Sequence, residues 1–62
     1  MLFKDFIKMY DNLNGIVVVN NDNLERIVEA TCYTIISQYH GLDNKEVVSF
    51  GFYDDELTIR VK

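Results

Sequence analysis

The last seventeen residues of the chain most constrain its fold, because they predict a β-hairpin with a single register. Asp54 and Asp55 are typical of a two-residue turn, and apolar and polar residues alternate on both sides of them. Pairing outward from this turn sets Phe52 opposite Leu57, Phe50 opposite Ile59 and Val48 opposite Val61. All six side chains then share one face, which we expect to belong to the core. A slip of one residue would bury Arg60 and Lys62, so the register is strongly specified.

The opposite face of this hairpin is predicted to be mostly polar. It receives the pairs Val47 and Lys62, Ser49 and Arg60, Gly51 and Thr58, and Tyr53 and Glu56. Tyr53 therefore lies beside three acidic residues at the hairpin tip and away from Phe50 and Phe52. An exposed tyrosine among acids suits a protein interface, although it also suits simple cross-strand packing on a half-wet sheet.

A chain of 62 residues is predicted to form one domain, residues 1–62. Such a small domain buries only about 60% of its unfolded surface, so its stability is marginal. A single cysteine and a single histidine exclude a disulfide or a structural zinc site within one chain. The hydrophobic content of 48% instead favours an apolar core or oligomerisation.

The first half of the chain predicts a helix followed by a strand. Residues 2–13 carry apolar side chains at helical spacing, and Asn14 and Gly15 are residues that commonly end a helix. The β-branched run from Ile16 to Val19 predicts a strand that is buried on both faces. One face would pack on a helix, and the other would need a second sheet face or a partner chain.

Residues 24–40 admit two interpretations. In the first, one long helix spans residues 23–40, with Asp22 and Glu25 resembling a capping box. In the second, the Asn/Asp cluster at 20–23 is a turn, Leu24–Ala30 is a returning strand, and Thr31 caps a short helix from Cys32 to Tyr39. Periodicity favours the long helix, whereas the β-branched content of residues 27–36 favours the hairpin.

The polar-turn hairpin, the short helix and the closing stretch LDNKEVVSFGFYDDELTIRVK resemble a loose group of small proteins of Firmicute phages and mobile elements. The resemblance covers roughly residues 14–62 and rests on the pattern of apolar positions and turns. It implies strand, turn and strand over 16–30, and a last hairpin that begins at Glu46. The chain departs from the group at Ala30 and Thr31, where glycine is commoner. The group carries no catalytic motif to transfer.

Together these observations predict an α+β domain in the order α-β-β-α-β-β, with antiparallel hairpins packed on helices. The alternative order, α-β-α-β-β, contains the long helix 23–40.

The acidic net charge of −4 and the isoelectric point near 4.6 argue against direct nucleic-acid binding, which needs a basic face. Lysines and arginines are scattered rather than clustered. No apolar run is long enough to span a membrane, and Lys4, Asp5 and Lys8 interrupt any signal-peptide core. We therefore expect a cytoplasmic protein with no membrane partner.

No residue set in the sequence predicts catalysis, a metal or a cofactor. His40 and Cys32 would lie about 12 Å apart along a continuous helix, with no third orienting group. The Asn/Asp cluster at 20–23 lacks the glycine and distal glutamate of a calcium loop. Asp54, Asp55 and Glu56 are explained by a turn, because aspartate is a common turn residue and charge keeps an exposed hairpin tip soluble.

We therefore expect a non-catalytic protein-binding module of a phage or mobile element, with Tyr53, Asp54, Asp55 and Glu56 as candidate binding residues. One version is an inhibitor of a host defence protein, similar to an anti-CRISPR. The alternative is a structural self-assembling subunit. The apolar run Ile16–Val19 and the small size also predict a homodimer.

Overall fold

The computed structural model describes all residues, 1–62. Its elements are helix α1 (Phe3–Ile7), strands β1 (Ile16–Asn20) and β2 (Arg26–Thr31), helix α2 (Cys32–Gln38), a short 3-10 helix (His40–Leu42), and strands β3 (Val47–Tyr53) and β4 (Glu56–Val61). This order confirms the predicted α+β class and the succession α-β-β-α-β-β.

The four strands form one mixed sheet in the order β2-β1-β4-β3. β1 and β2 form one antiparallel hairpin, and β3 and β4 form the other. The two hairpins join through β1 and β4, which run parallel with Val18 opposite Thr58. Both helices pack on one face of the sheet, where they close the core around Val19 and Ile59.

The interpretation of residues 24–40 as a strand and a short helix is correct, and the long helix is wrong. Thr31 ends β2 with an extended backbone, and its side chain accepts a hydrogen bond from the Thr34 amide at 3.2 Å. The Thr31 hydroxyl also donates to the Thr34 hydroxyl at 2.9 Å. These bonds start a new helix at Cys32, as expected of an N-cap residue. Glu25 closes the β1–β2 turn instead of capping a helix.

The predicted helix over residues 2–13 is too long, because α1 ends after five residues. Backbone hydrogen bonds hold the following segment against the start of α2: Cys32 N–H donates to Gly15 and Tyr33 N–H to Leu13. Gly15 does not adopt the left-handed conformation expected of a helix stop. A Cβ there would lie 2.6 Å from the Tyr10 hydroxyl, so close approach explains this glycine better.

The final hairpin has the predicted two-residue turn and, over most of its length, the predicted register. Asp54 and Asp55 both have positive φ, 53° and 66°, as a type I′ turn requires. Phe52 lies opposite Leu57 and Phe50 opposite Ile59. The register then shifts between Val47 and Ser49, so Val47 rather than Val48 lies opposite Val61. A β-bulge inserts one extra residue, and this explains the one-residue error near the end of the pairing.

The core is made by residues from every element except β3, and its inner strands are β1 and β4. Its buried members are Phe3, Ile7, Val17, Val19, Val28, Cys32, Ile35, Leu42, Leu57, Ile59 and Val61. Phe50 and Phe52 share this face, but they are 60% and 59% exposed. Their predicted burial is therefore wrong, because β3 is an edge strand and the helices do not extend over it.

The strand β1 is buried on both faces, as predicted. Val17 and Val19 pack into the helix-covered core, and Val18 is only 6% exposed on the other face. The flanking residues Glu29 and Thr58 on the neighbouring strands lie opposite Val18. A single chain thus covers this strand, so Ile16–Val19 leaves no apolar face that needs a second copy.

Leu24 occupies a strained position in the β1–β2 turn. Its φ is 65°, in the left-handed region, and its side chain is largely exposed. The Asn21 side chain organises this turn by accepting hydrogen bonds from the amides of Asn23 and Glu25, both at 2.9 Å. The backbone conformation is thus imposed on Leu24 by its neighbours.

We expect Leu24→Gly to raise the free energy of unfolding by about 0.5–1 kcal/mol. Relief of a left-handed strain of about 1–2 kcal/mol exceeds the extra chain entropy of glycine, about 0.5–1 kcal/mol. Urea denaturation measures the change. The control is Leu13→Gly, a second exposed leucine without positive φ, which should destabilise. Loss of stability in both variants would show that the Leu24 side chain packs on the protein.

Candidate protein-binding surfaces

The residues most suited to chemistry do not form a reactive pair. Cys32 is fully buried at the start of α2, and this burial raises the pKa of its thiol. His40 lies exposed on the 3-10 helix, with Nε2 at 3.1 Å from the Ser37 carbonyl and Nδ1 at 3.6 Å from the Asp43 carboxylate. A buried, protonated thiol and an exposed imidazole offer no activated nucleophile in this arrangement.

The acidic residues do not gather into a chelating group. No set of three or more His, Cys, Asp or Glu side chains is placed to hold a metal ion. Within the cluster at 20–23, Asn21 serves the turn through its amide oxygen. None of the helices has the length and apolarity needed to cross a membrane.

The four predicted binding residues lie together at the tip of the β3–β4 hairpin. Asp54 and Asp55 are exposed at the turn, and Glu56 is half-buried at the start of β4. Tyr53 is 67% exposed and points to the face of the sheet that carries no helix. Its ring lies over Gly51, where an added Cβ would be only 3.2 Å from the ring. The absence of a side chain at Gly51 therefore lets the ring lie along the strand.

The helix-free side of the sheet carries a shallow cavity of about 310 Å³. We call this surface the open face and define it by the lining residues on this side of the sheet, Asn20, Leu24, Ser49, Gly51, Tyr53, Thr58 and Arg60. The alternation of the final hairpin already placed Tyr53 and Arg60 on one side. Leu24 and Asn20 join them only because β1 runs beside β4, which brings the first turn next to the second hairpin.

Arg60 carries a polar atom without a partner. Its Nε is shielded from solvent and donates to no acceptor in the chain. The same residue lies between Asn20 on β1 and Ser49 on β3. Arg60 as a whole is half-buried, and its side chain lines the cavity on the open face.

A second surface lies on the helix side of the sheet, between α1 and β3. We call it the apolar groove: one cavity of about 550 Å³ is lined by Met1, Phe6, Met9, Val47, Val48, Ser49 and Phe50. A smaller cavity of about 230 Å³ continues it along Tyr10, Phe52 and Leu57. The rings of Phe6 and Phe50 are 4.8 Å apart, and those of Tyr10 and Phe52 are 6.0 Å apart. Phe50 and Phe52 thus each contact one ring near the start of the chain and are otherwise exposed.

Sequence reasoning missed the apolar groove because it treated Phe50 and Phe52 as core residues. Their alternation gives the correct face of the sheet. It does not show that β3 lies at the edge, since that depends on which strands the two hairpins bring together.

Comparisons with family models, with curated proteins and with solved structures returned no match for this chain.

Proposed function

We propose that this chain is a non-catalytic protein-binding module that engages a partner protein through the open face and the acidic hairpin tip. The observation that carries the proposal is the convergence of Tyr53, Arg60 and Leu24 on a sheet face that no helix covers. Tyrosine and arginine are the residue types that most often dominate the binding energy of protein interfaces. Exposed leucine adds apolar area beside them.

Two features of the open face favour a binding role. Leu24 holds a left-handed backbone while its side chain is exposed, and backbone strain concentrates where proteins bind ligands and partners. On the same surface, the Arg60 Nε has no acceptor within the chain.

The chemistry of the partner follows from charge. The hairpin tip presents Asp54, Asp55 and Glu56 beside the open face, and the whole chain carries −4. Complementary charge speeds association and selects partners, so the proposed partner presents a basic surface. The resemblance to phage proteins further implies a bacterial host cell as the setting. There the partner is a cytoplasmic defence protein of the host, and the chain inhibits it by occupying a basic groove.

The test begins with capture from a lysate of a Firmicute host and continues with the purified pair. A captured protein must rebind the purified chain, and its dissociation constant is then measured by calorimetry. We expect Tyr53→Ala and Arg60→Met each to weaken binding at least about 10-fold, as for residues that dominate an interface. Met9→Ala, an exposed change in the apolar groove, is the matched control and should leave the constant unchanged. Binding that survives the first two changes, or no rebinding protein at all, would contradict the proposal.

Arg60→Met also separates function from stability. Methionine keeps the apolar stem and removes the unsatisfied donor, so we expect unfolding by urea to need the same or a higher denaturant concentration. A clear loss of stability, matching the loss of binding, would mean that Arg60 is structural.

The charge of the tip is tested by the double change of Asp54→Asn and Asp55→Asn. Asparagine tolerates positive φ as well as aspartate does, so the turn is retained while two charges are removed. We expect weaker binding, a slower association rate and a smaller salt dependence. An unchanged association rate at low salt would show that the partner does not bind through a basic surface.

A further inference from the structure

The two edges of the sheet differ in how they are protected. The edge strand β2 carries charged residues, and its Arg26 and Glu29 form an ion pair at 2.7 Å. The opposite edge strand β3 has the sequence VVSFGFY, without a charge or a proline. Charges and prolines are the usual means by which proteins prevent an edge from pairing with another strand. β2 has such protection, whereas β3 has only a bulge near Val48 and a contact with the start of the chain at its first residue.

Part of the β3 edge is already occupied by the start of the chain. Val47 N–H donates to the Met1 carbonyl at 2.9 Å, and Phe3 N–H donates to the Lys45 carbonyl at 2.8 Å. A β-bridge joins Leu2 to Glu46. This contact ends at Val47, so the edge from Val48 to Tyr53 is free.

The turn fixes which backbone groups of the free edge point outward. Residues that flank a two-residue turn form a hydrogen-bonded pair, here Tyr53 and Glu56. Hydrogen-bonded and non-bonded pairs alternate along an antiparallel ladder. Gly51 therefore turns its backbone groups toward β4. Phe50 and Phe52 direct their N–H and C=O groups away from β4, toward the free edge.

We propose that a second copy of this chain pairs antiparallel with β3 around a twofold axis at Gly51. This axis sets Phe50 opposite the partner's Phe52, so the outward N–H and C=O groups of both residues are satisfied in both chains. The two sheets become one eight-stranded sheet. Directly opposite side chains share a face, so the exposed aromatics of both copies meet between the two α1 helices.

The exposed apolar area is consistent with this partner. Phe50, Phe52, Met1 and Met9 are each 58–63% exposed on the same side of the molecule. Since an aromatic side chain offers roughly 200 Å² of surface, the patch is on the order of 500 Å². A standard interface buries about 800 Å² on each partner, so contacts of the strand backbones would supply the remainder. Interfaces of standard size range from micromolar to picomolar affinity, and this smaller patch is expected at the weak, micromolar end.

This dimer uses the helix side of the sheet and the β3 edge, while the proposed partner protein binds the open face. Failure of one proposal is therefore distinguishable from failure of the other, because the variants that test them lie on opposite faces.

The test is sedimentation equilibrium over a series from about 1 μM to about 1 mM chain. We expect the mean mass to rise from 7.3 kDa toward twice that value, with a melting temperature that rises with concentration. Phe52→Lys should weaken dimerisation at least about 100-fold, because it introduces a charge into the desolvated strand contact. Tyr33→Lys is the matched control, since Tyr33 is an equally exposed aromatic on α2, and it should dimerise normally. A wild-type chain that remains a monomer at every concentration, or a Phe52→Lys chain that dimerises as well, would overturn the proposal.

Amide hydrogen exchange tests the pairing itself. At concentrations where the dimer forms, the amides of Phe50 and Phe52 should become at least about 10-fold slower to exchange than in the Phe52→Lys chain or at high dilution. The amides of Gly51 and Tyr53, which face β4, should be protected in all samples. A dimer in which the Phe50 amide exchanges freely would rule out pairing through this edge.

Discussion

Ile59→Ala is expected to cost about 3–4 kcal/mol, which is a third or more of the free energy of unfolding of a domain of this size. Ile59 is fully buried on β4, an inner strand, with the core on its helix-covered side. Removal of such a side chain typically costs 2–5 kcal/mol, from lost burial and from the cavity left behind. A 62-residue domain has a total stability of only about 3–9 kcal/mol. Urea denaturation followed by circular dichroism measures the loss.

The matched control is Phe50→Ala, because Phe50 lies directly opposite Ile59 and shares its face of the sheet. Phe50 is the larger residue, yet it is 60% exposed. We expect its removal to cost about 1 kcal/mol in the monomer, mostly from its contact with the Phe6 ring. Equal losses for the two variants at low protein concentration would mean that β3 is covered in solution even in the monomer.

The Cys32 thiol is expected to react with iodoacetamide at least about 100-fold more slowly than the same thiol in urea. Cys32 is fully buried, so the reagent reaches it only when the chain opens. If global unfolding of about 3–9 kcal/mol is needed, the protection is on the order of 10² to 10⁶. The control chain combines Cys32→Ala with Tyr33→Cys, which moves the thiol by one residue to an exposed position. That thiol should react at nearly the unfolded rate, and equal protection of the two would contradict the burial of Cys32.

The same burial gives a dependence of stability on pH. Desolvation raises the pKa of the Cys32 thiol above its ordinary value, while the unfolded thiol titrates near 8.5. Above the unfolded pKa the unfolded chain releases the proton first, so the free energy of unfolding falls as the pH rises. The contribution is complete below the unfolded pKa and is lost through the folded one. We expect the slope between about pH 8 and 9.5 to be flatter in Cys32→Ala.

The local elements of this fold were largely predictable from neighbouring residues. Two aspartates between alternating apolar runs predicted the β3–β4 turn and most of its register, because side-chain period and turn geometry are short-range properties. The β-branched run at Ile16–Val19 predicted a strand that is buried on both faces. The bulge near Val48 was not predictable, since the binding of Glu46 and Val47 to the start of the chain constrains that end of β3.

The choice between helix and hairpin for residues 24–40 shows where local reasoning stops. Periodicity allowed a continuous apolar stripe from Leu24 to Tyr39, and propensities alone did not exclude it. In the structure, pairing of β2 with β1 satisfies the backbone of this segment, and the Thr31 hydroxyl starts a helix in its place. The tertiary pairing outweighs weak helix propensities of a few tenths of a kcal/mol for each residue.

The sequence by itself determined strand β1, the β3–β4 hairpin with its turn, and the separation of Tyr53 from the two β3 phenylalanines. Each depends on residues close together in the chain. Only the tertiary structure decided that β1 runs parallel to β4. That one contact places β3 at an edge, exposes Phe50 and Phe52, and brings Leu24 beside Arg60. It depends on how two hairpins distant in sequence share one sheet, and burial of Val17, Val19 and Ile59 under the helices is what makes that arrangement favourable.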